Sequence, residues 1–154
     1  MKTVTKYSGG DAIRVEFTVR WGDCDAAGVT YYAKYFDWFT DGRIALLDKA
    51  GLSYMDIFHN QGIELVVIDA FCRYRLSLRP VEKVILETSI TSLTRTRITF
   101  SYRLLKEDNT VAAEGSTNHA YVDERGKPFN IAKKNPGLWE ELSRKIGTAG
   151  GGLN

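Results

Sequence analysis

Cysteine and histidine are scarce in this sequence of 154 residues, which contains two of each. Cys24 and Cys72 match neither a disulfide framework nor the paired spacing of a zinc site. His59 and His119 are isolated from both cysteines along the chain. We therefore expect reduced thiols and no bound metal.

Long apolar runs and an excess of charge of one sign are also absent. A membrane-spanning helix needs about 18 or more consecutive apolar residues, and no such run exists. The first ten residues lack the apolar centre of a signal peptide. The 21 basic and 19 acidic residues are mixed along the chain, unlike the basic cluster of a nucleic-acid-binding protein. We therefore expect a soluble cytoplasmic protein that binds neither membranes nor nucleic acid.

The length and the apolar content of 44% suit one ordinary domain with a sizeable core. We expect this single domain at 12–146. An N-terminal tail at 1–11 and a glycine-rich C-terminal tail at 147–154 would flank it.

Alternation of apolar and polar residues predicts a strand at 12–21. Five apolar side chains share one face of it: Ile13, Val15, Phe17, Val19 and Trp21. At 31–50 there is no proline, and apolar residues recur at steps of three and four, which predicts a long helix that ends at Gly51. Because apolar residues occupy most of its circumference, we expect this helix to be buried and wrapped by sheet. Gly42 inside it costs about 1 kcal/mol relative to alanine without breaking it.

Four further strands are predicted, at 63–76, 81–93, 96–106 and 110–122. The first of them is expected to bulge at 69–70. Ser53 should cap a short helix that runs to about residue 61, and Asn135 and Pro136 should open a final helix. This order predicts an α+β domain whose antiparallel sheet curls round the central helix. Because unpaired sheet edges are usually covered, we expect a homodimer or a homotetramer.

Residues 22–35 read GDCDAAGVTYYAKY and put the carboxylate of Asp25 in a turn directly before the long helix. A helix start offers unpaired backbone N–H groups and the positive end of the macrodipole, which polarise a carbonyl oxygen placed there. The carboxylate would supply the base or the nucleophile. The pattern therefore predicts a site at which a thioester could be attacked.

The stretch DCDAAGVTYYAKY at 23–35, after a strand and before an aromatic helix, resembles the active-site motif of hot-dog-fold acyl-CoA thioesterases, specifically the 4-hydroxybenzoyl-CoA thioesterase family. The resemblance covers about residues 12–125. It implies a hot-dog fold and hydrolysis of an aromatic or short-chain acyl-CoA to the free acid and coenzyme A. It implies no cofactor, since coenzyme A is part of the substrate.

The resemblance also implies roles for single residues. Asp25 matches the catalytic carboxylate, acting as nucleophile through a mixed anhydride or as general base on water. Gly28 matches the glycine of the tight turn into the helix. Tyr32 lies where the family uses a backbone N–H to hold the thioester oxygen.

Substrate contacts are expected from four further residues. Arg95 and Arg97 resemble the family's surface site for the nucleotide phosphates, although solubility alone would also explain them. Tyr35 and Asp41 lie on the helix and could contact the acyl group, although Tyr35 is most simply a core residue and Asp41 a solvated one.

The catalytic candidates have simpler alternative roles. Asp25 could merely cap the helix entry, and Asp23 is expected to be structural. Cys24 could be a nucleophile, but its two flanking carboxylates should suppress the thiolate. His119 could act as a base, although a hydrogen-bonded histidine in the sheet is the simpler interpretation.

Two other functions fit the same fold. A non-hydrolytic module that binds acyl-CoA or an acyl carrier protein would hold the thioester without needing Asp25. A dehydratase would require a histidine on the central helix, and 31–50 contains none. The branch of hot-dog thioesterases that uses a helix glutamate is disfavoured because 31–50 also lacks glutamate.

Overall fold

The structure, a computed structural model, describes residues 3–4 and 12–146. Apart from the backbone of residues 3–4, the tails predicted at 1–11 and 147–154 lie outside the described residues. The strands and α-helices, in chain order, are β1 (Thr3–Val4), β2 (Ile13–Thr18), α1 (Lys34–Lys49), β3 (Glu64–Tyr74), β4 (Lys83–Leu93), β5 (Arg97–Lys106), β6 (Val111–Val122), α2 (Ile131–Lys134) and α3 (Pro136–Ile146).

The strands form one antiparallel sheet in the order β1-β2-β4-β5-β6-β3. Helix α1 packs on the inner face of the sheet, against β2, β4 and β5. Alternate residues of these strands and one side of α1 form the core, with Phe39 stacked on Tyr102 at 4.2 Å between ring centroids. The predicted α+β architecture, a curved antiparallel sheet on a long helix, is confirmed.

Helix α1 begins at Lys34 and ends at Lys49, slightly inside the predicted 31–50. It is less uniformly buried than expected, because one stripe of the helix faces solvent: Asp37, Thr40, Asp41, Ile44 and Asp48. Gly42 packs directly on β4, since a Cβ there would overlap the side chains of Thr88 and Leu86. This contact sets the depth of the helix over the sheet.

The strand predicted at 12–21 ends at Thr18, and its buried face includes Ile13, Val15 and Phe17. Trp21 was expected on that face, but it is 76% exposed. The reason is that a 3₁₀ turn, Trp21–Asp23, replaces the strand there and rotates the side chain outward. This turn leads into the loop before α1.

Strand β3 bulges between Val67 and Asp69, one residue before the predicted position. The short helix before it is a π-helical turn, Tyr54–Phe58, followed by a 3₁₀ turn. Ser53 makes no side-chain capping bond to it, so that part of the prediction was wrong. Asn135 does cap α3, because its Oδ1 accepts a hydrogen bond from the Leu138 N–H at 3.1 Å.

Candidate active site

The loop between β2 and α1 folds back on itself as a narrow hairpin. A single bridge pairs Cys24 with Thr30, and the Asp25 N–H donates to the Val29 carbonyl at 3.0 Å. Gly28 closes the turn with its N–H bonded to the Asp25 carbonyl and a φ of +77°, which glycine adopts without the steric cost of a Cβ. Gly28, expected to allow a tight turn into the helix, therefore has a left-handed backbone conformation that favours glycine.

The Asp25 carboxylate is exposed at the tip of this hairpin. Its Oδ1 accepts a hydrogen bond from the Ala27 N–H at 2.9 Å, which closes a small turn within the loop. Its contacts are thus with its own loop, and the carboxylate does not cap α1. One carboxylate oxygen is held, and the other has no hydrogen bond within residues 12–146.

Asp23 has the opposite surroundings, since its side chain is only 3% exposed. Its Oδ2 accepts from the Arg20 N–H at 2.9 Å, and the Lys34 ammonium lies 3.5 Å from its Oδ1. Its backbone carbonyl accepts from the Tyr31 N–H. These contacts tie the 3₁₀ turn to the start of α1, which is a structural role.

The turn that enters α1 carries the amide of Tyr32. The Tyr31 carbonyl accepts from the Lys34 N–H at 2.9 Å, and because C=O and N–H point in opposite directions across a trans peptide, the Tyr32 N–H points away from the helix body. Within residues 12–146, this N–H has no hydrogen-bond acceptor. It is therefore a free donor at the positive end of the helix dipole.

Asp25 and the helix entry open onto one cavity of about 280 Å³. Its walls come from the hairpin, the first turns of α1 and the chain at the end of β3: Asp25, Val29, Thr30, Tyr32, Tyr35, Tyr74, Arg75, Leu76 and Ser77. The rings of Tyr35 and Tyr74 meet edge to face at 4.8 Å. Burial raises the pKa of Tyr35 to about 12, so this phenol is neutral at physiological pH.

Asp25, Gly28, Tyr32 and Tyr35 are thus brought together, but Asp41 is not. It lines a second cavity of about 420 Å³ on the other side of the helix start, beside Asp23, Lys34 and Trp38. The acyl contact suggested for Asp41 would therefore require a substrate that reaches this second cavity.

Arg95 and Arg97 lie at the opposite end of the sheet from Asp25. The hairpin follows Thr18, which pairs with Lys83 at the start of β4. Arg95 lies in the turn after the other end of β4, and Arg97 begins the neighbouring strand β5 at that end. The eleven residues of β4 separate the two ends by roughly 30 Å. In one protomer these arginines are remote from the carboxylate, so they could serve its substrate only from another subunit.

His119 is also remote from Asp25, because it pairs with Ile98 near the same far end. It is fully buried, and its Nε2 lies 2.8 Å from the Thr117 Oγ1. His119 is therefore a hydrogen-bonded histidine within the sheet, which is the simpler of the two roles considered for it.

Tyr74 and the segment after it were missed as site residues. In the sequence, Tyr74 continues the alternation of a strand and carries no motif of its own. Only the pairing of β3 with β6 brings it beside the helix entry, which the local pattern could not indicate. Thr30 was missed as well, although it lies inside the motif.

No helix within residues 12–146 is both long and apolar enough to cross a membrane. In the same residues, no group of three or more His, Cys, Asp and Glu side chains has an arrangement that could hold a metal ion. Cys24 and Cys72 are both free thiols.

Comparison with known proteins supplies the family. The model of the family described as Thioesterase-like superfamily matches residues 19–145. A protein of Aquifex aeolicus (strain VF5) with the provisional name esterase is 31% identical over 116 residues, covering 75% of this chain and 88% of that protein. A protein of Bacillus subtilis (strain 168) with the provisional name acyl-CoA thioesterase YneP is 26% identical over 122 residues, covering 79% and 88%.

A solved structure of a DHNA-CoA thioesterase from Staphylococcus aureus superposes with a TM-score of 0.78 at 30% identity, covering 85% of this chain and 88% of that chain. The predicted hot-dog fold is thereby confirmed. The family match and these relatives agree with the helix-entry hairpin described above. The chain therefore belongs to the thioesterase-like superfamily and is a thioester hydrolase.

Proposed function

We propose that this protein hydrolyses the thioester of an aromatic acyl-CoA, with Asp25 as the catalytic carboxylate and the Tyr32 N–H as the donor to the thioester oxygen. The observation that carries the proposal is that Asp25 and Tyr32 line one cavity, at the start of a long helix, and that the Tyr32 N–H has no acceptor within the described residues. A carboxylate and a preorganised donor beside one carbonyl are what acyl transfer requires.

The proposed reaction breaks the bond between the acyl carbon and sulfur. As nucleophile, Asp25 adds its free carboxylate oxygen to the acyl carbon, coenzyme A leaves as a thiolate that takes up a proton, and water then cleaves the mixed anhydride. As general base, Asp25 takes a proton from a water molecule that attacks directly. In either route the carbonyl oxygen gains negative charge, which the Tyr32 N–H stabilises by roughly 3–4 kcal/mol if it resembles measured oxyanion donors. The proposed chemistry needs no metal or other cofactor.

The side chains that line the cavity favour an aromatic acyl group as substrate. Three tyrosines, Tyr32, Tyr35 and Tyr74, line it, and aromatic rings favour edge-on or offset contact with other rings. The relative of 30% identity acts on DHNA-CoA, which agrees with a bulky acyl group. The proposal does not assign Arg95 and Arg97 to the substrate of their own protomer.

The proposed enzyme is a homo-oligomer, a dimer or a tetramer. Strand β3 is an edge of the sheet, and several of its apolar side chains are exposed, including Val67 at 52% and Phe71 at 50%. A second copy that covered this edge would also close the cavity, because Tyr74 lies on the same strand.

The test is release of free thiol from a panel of aromatic, short-chain and long-chain acyl-CoAs. We expect the wild type to turn over aromatic thioesters with the highest kcat/KM. Asp25→Asn keeps the size of the side chain but removes its charge and basicity, so kcat should fall by roughly 1,000-fold or more while the Kd for acyl-CoA changes little.

Asp48→Asn is the matched control, because Asp48 is an exposed aspartate on α1 outside the cavity. It should retain wild-type kcat. Equal turnover by Asp25→Asn and wild type would overturn the role of Asp25. Binding without turnover by the wild type would instead favour a non-hydrolytic acyl-CoA module.

A further inference from the structure

The hydroxyl of Tyr74 reaches from the edge strand to the entry of α1. It donates a hydrogen bond of 2.6 Å to the backbone carbonyl of Tyr32, which is 42 residues away in sequence. The Tyr74 ring also packs edge-on against Tyr35 at an interplanar angle of 88°. One side chain of β3 is therefore anchored to the backbone of the residue whose N–H is proposed to bind the thioester oxygen.

This hydrogen bond replaces one that a regular helix would make. In an α-helix the carbonyl of Tyr32 would accept from the N–H of Phe36, four residues later. Here the Phe36 N–H donates to the Ala33 carbonyl instead, at 3.2 Å. The Tyr32 carbonyl thus stays available to Tyr74, and the Tyr32–Ala33 peptide is held outside the helical arrangement.

The consequence concerns the direction of the Tyr32 N–H. The peptide before the Tyr32 Cα is fixed by the bond from the Lys34 N–H to the Tyr31 carbonyl, and the peptide after it by Tyr74. Since peptide units are planar, two fixed planes determine the φ and ψ between them. The Tyr32 N–H lies in the first of these planes, and the two planes share the Tyr32 Cα. Without the Tyr74 hydroxyl, the second plane is free to rotate towards the Phe36 N–H. Because the chain on either side is held in place, that rotation shifts the Tyr32 Cα and tilts the first plane together with its N–H.

We infer that Tyr74 is a positioning residue for thioester hydrolysis, whose hydroxyl holds the Tyr32 amide in the direction needed to bind the developing oxyanion. This inference rests on the proposed function, because it presupposes that the Tyr32 N–H is the donor. A donor aimed in advance stabilises the transition state without reorganising during the reaction.

The environment of Tyr74 suits a permanent donor. Partial burial of the side chain raises the pKa of its phenol above the usual range, so the hydroxyl is protonated at every working pH. The Cys72 thiol contributes to this shift, and its own pKa is raised by burial, so it is also protonated. Tyr74 therefore donates to the Tyr32 carbonyl rather than exchanging protons with substrate.

The first test is Tyr74→Phe, which keeps the ring against Tyr35 and removes only the hydroxyl. The Tyr74 hydroxyl supports the hydrogen bond from the Tyr32 N–H to the oxyanion, which strengthens only in the transition state. We therefore expect kcat to fall about tenfold while KM stays within about twofold. This loss is smaller than that caused by removing an oxyanion donor altogether. The shape of the pH–rate profile should not change. Para-aminophenylalanine at position 74, which retains a donor, should restore most of kcat.

Tyr121→Phe is the matched control, because the Tyr121 hydroxyl also donates to a backbone carbonyl, that of Thr94 at 3.2 Å, but at the far end of the sheet. It loses a hydrogen bond of the same kind and should keep wild-type kcat. A general loss of stability would lower the activity of both variants, so the comparison separates positioning from folding.

The second test measures polarisation of the thioester itself. In an Asp25→Asn background, bound aromatic acyl-CoA persists long enough for its carbonyl stretch to be recorded by difference infrared spectroscopy. We expect the stretch to lie below its value in water, and to move back towards that value when Tyr74→Phe is added. Addition of Tyr121→Phe should leave it unchanged.

The outcomes separate two failures. If the wild type cleaves no acyl-CoA, the proposed function is wrong and the inference falls with it. If the wild type is active but Tyr74→Phe matches it in kcat and in carbonyl frequency, the inference alone is overturned.

Discussion

Asp23 and Asp25 lie two positions apart and have opposite surroundings. Asp23 is buried and holds Arg20 and Lys34, whereas Asp25 is exposed and bonded only to its own loop in the described part of the chain. The oxygens of a paired carboxylate are occupied by hydrogen bonds and ion pairs. A carboxylate with a free oxygen beside a cavity can instead attack a bound thioester or a water molecule. The difference in partners, not in residue type, therefore separates the structural aspartate from the proposed catalytic one.

His119 belongs to a buried polar chain that links helix and sheet. Its Nε2 contacts the Thr117 Oγ1, which lies 2.6 Å from the Tyr102 hydroxyl, and that hydroxyl accepts from Arg43 at 3.2 Å. Burial, with the nearby positive charge of Arg43, lowers the pKa of His119 from 6.5 to about 4. The imidazole is therefore neutral in the folded protein above that pH.

We predict that this histidine makes stability depend on pH between about 6.5 and 4. In that window the unfolded chain binds a proton at position 119 that the folded protein does not, so the free energy of unfolding falls as pH is lowered, by at most about 1.4 kcal/mol per pH unit. Above pH 6.5 this contribution is constant. Urea unfolding at a series of pH values from 7.5 to 5 measures the slope.

His119→Gln should remove most of this slope, and His59→Gln should not. His59 is the useful control because it is the other histidine and lies exposed, paired with Glu64. Parallel pH dependences for wild type and His119→Gln would contradict the prediction.

At the residue scale, the sequence was informative where the site is contiguous. Asp25, Gly28, Tyr32 and Tyr35 lie within eleven positions, so spacing alone placed them on one turn and one helix start. Tyr74 enters the same cavity through strand pairing across the sheet. Such long-range contacts depend on register, which local periodicity does not determine.

At the scale of elements, Gly42 packs so tightly against β4 that it leaves no room for a Cβ. Helix propensity alone predicts that alanine would be better there by about 1 kcal/mol. The structure reverses this expectation, since the added Cβ would lie 2.7 Å from the Leu86 side chain and closer still to Thr88. Overpacking of this kind usually costs about 1–3 kcal/mol.

We therefore predict that Gly42→Ala lowers the free energy of unfolding by about 1–2 kcal/mol. Gly137→Ala in α3 is the matched substitution, because the nearest atom to its Cβ would be 3.9 Å away. It should raise the free energy of unfolding by up to about 1 kcal/mol. Denaturant midpoints at unchanged m-value measure both, and a stabilising Gly42→Ala would show that α1 can lift from β4 at no cost.

The elements themselves were largely predictable because each has a strong local period. Strands β4, β5 and β6 begin within two residues of the predicted starts and end at the predicted ends. Errors lie where the chain changes direction, as at Trp21, where a 3₁₀ turn begins. The short β1 and α2 were missed, since elements of two and four residues have no measurable period.

At the scale of the whole molecule, the outer face of the sheet carries a row of alternating charges. Glu87 lies between Arg14 and Arg103, and Glu114 is opposite Arg103 in the register and paired with Arg75. The row runs from β2 to the chain just after β3. Each arginine of this row is therefore paired with a glutamate, whereas the exposed apolar side chains lie at the edge of the sheet.

That edge is β3, which is eleven residues long. Val67 is paired with the inward-facing His119, so its side chain is on the inner face, yet it is 52% exposed because α1 does not extend over it. Tyr74, also on the inner face, is 43% exposed. Long apolar edges are prone to pair with another strand, and here a second β3 would meet the same apolar side chains.

We predict that two copies pair through β3 about a twofold axis, giving a mass at least twice 17.3 kDa in solution. Val67→Lys places a charge on the uncovered inner face of β3, so it should shift the protein to a monomer. Val81→Lys is the control, because Val81 is 63% exposed but lies in the loop between β3 and β4. Light scattering coupled to size exclusion measures both. A monomeric wild type, or a Val67→Lys variant of unchanged mass, would rule out this pairing, and with it any closure of the Asp25 cavity by a partner's β3.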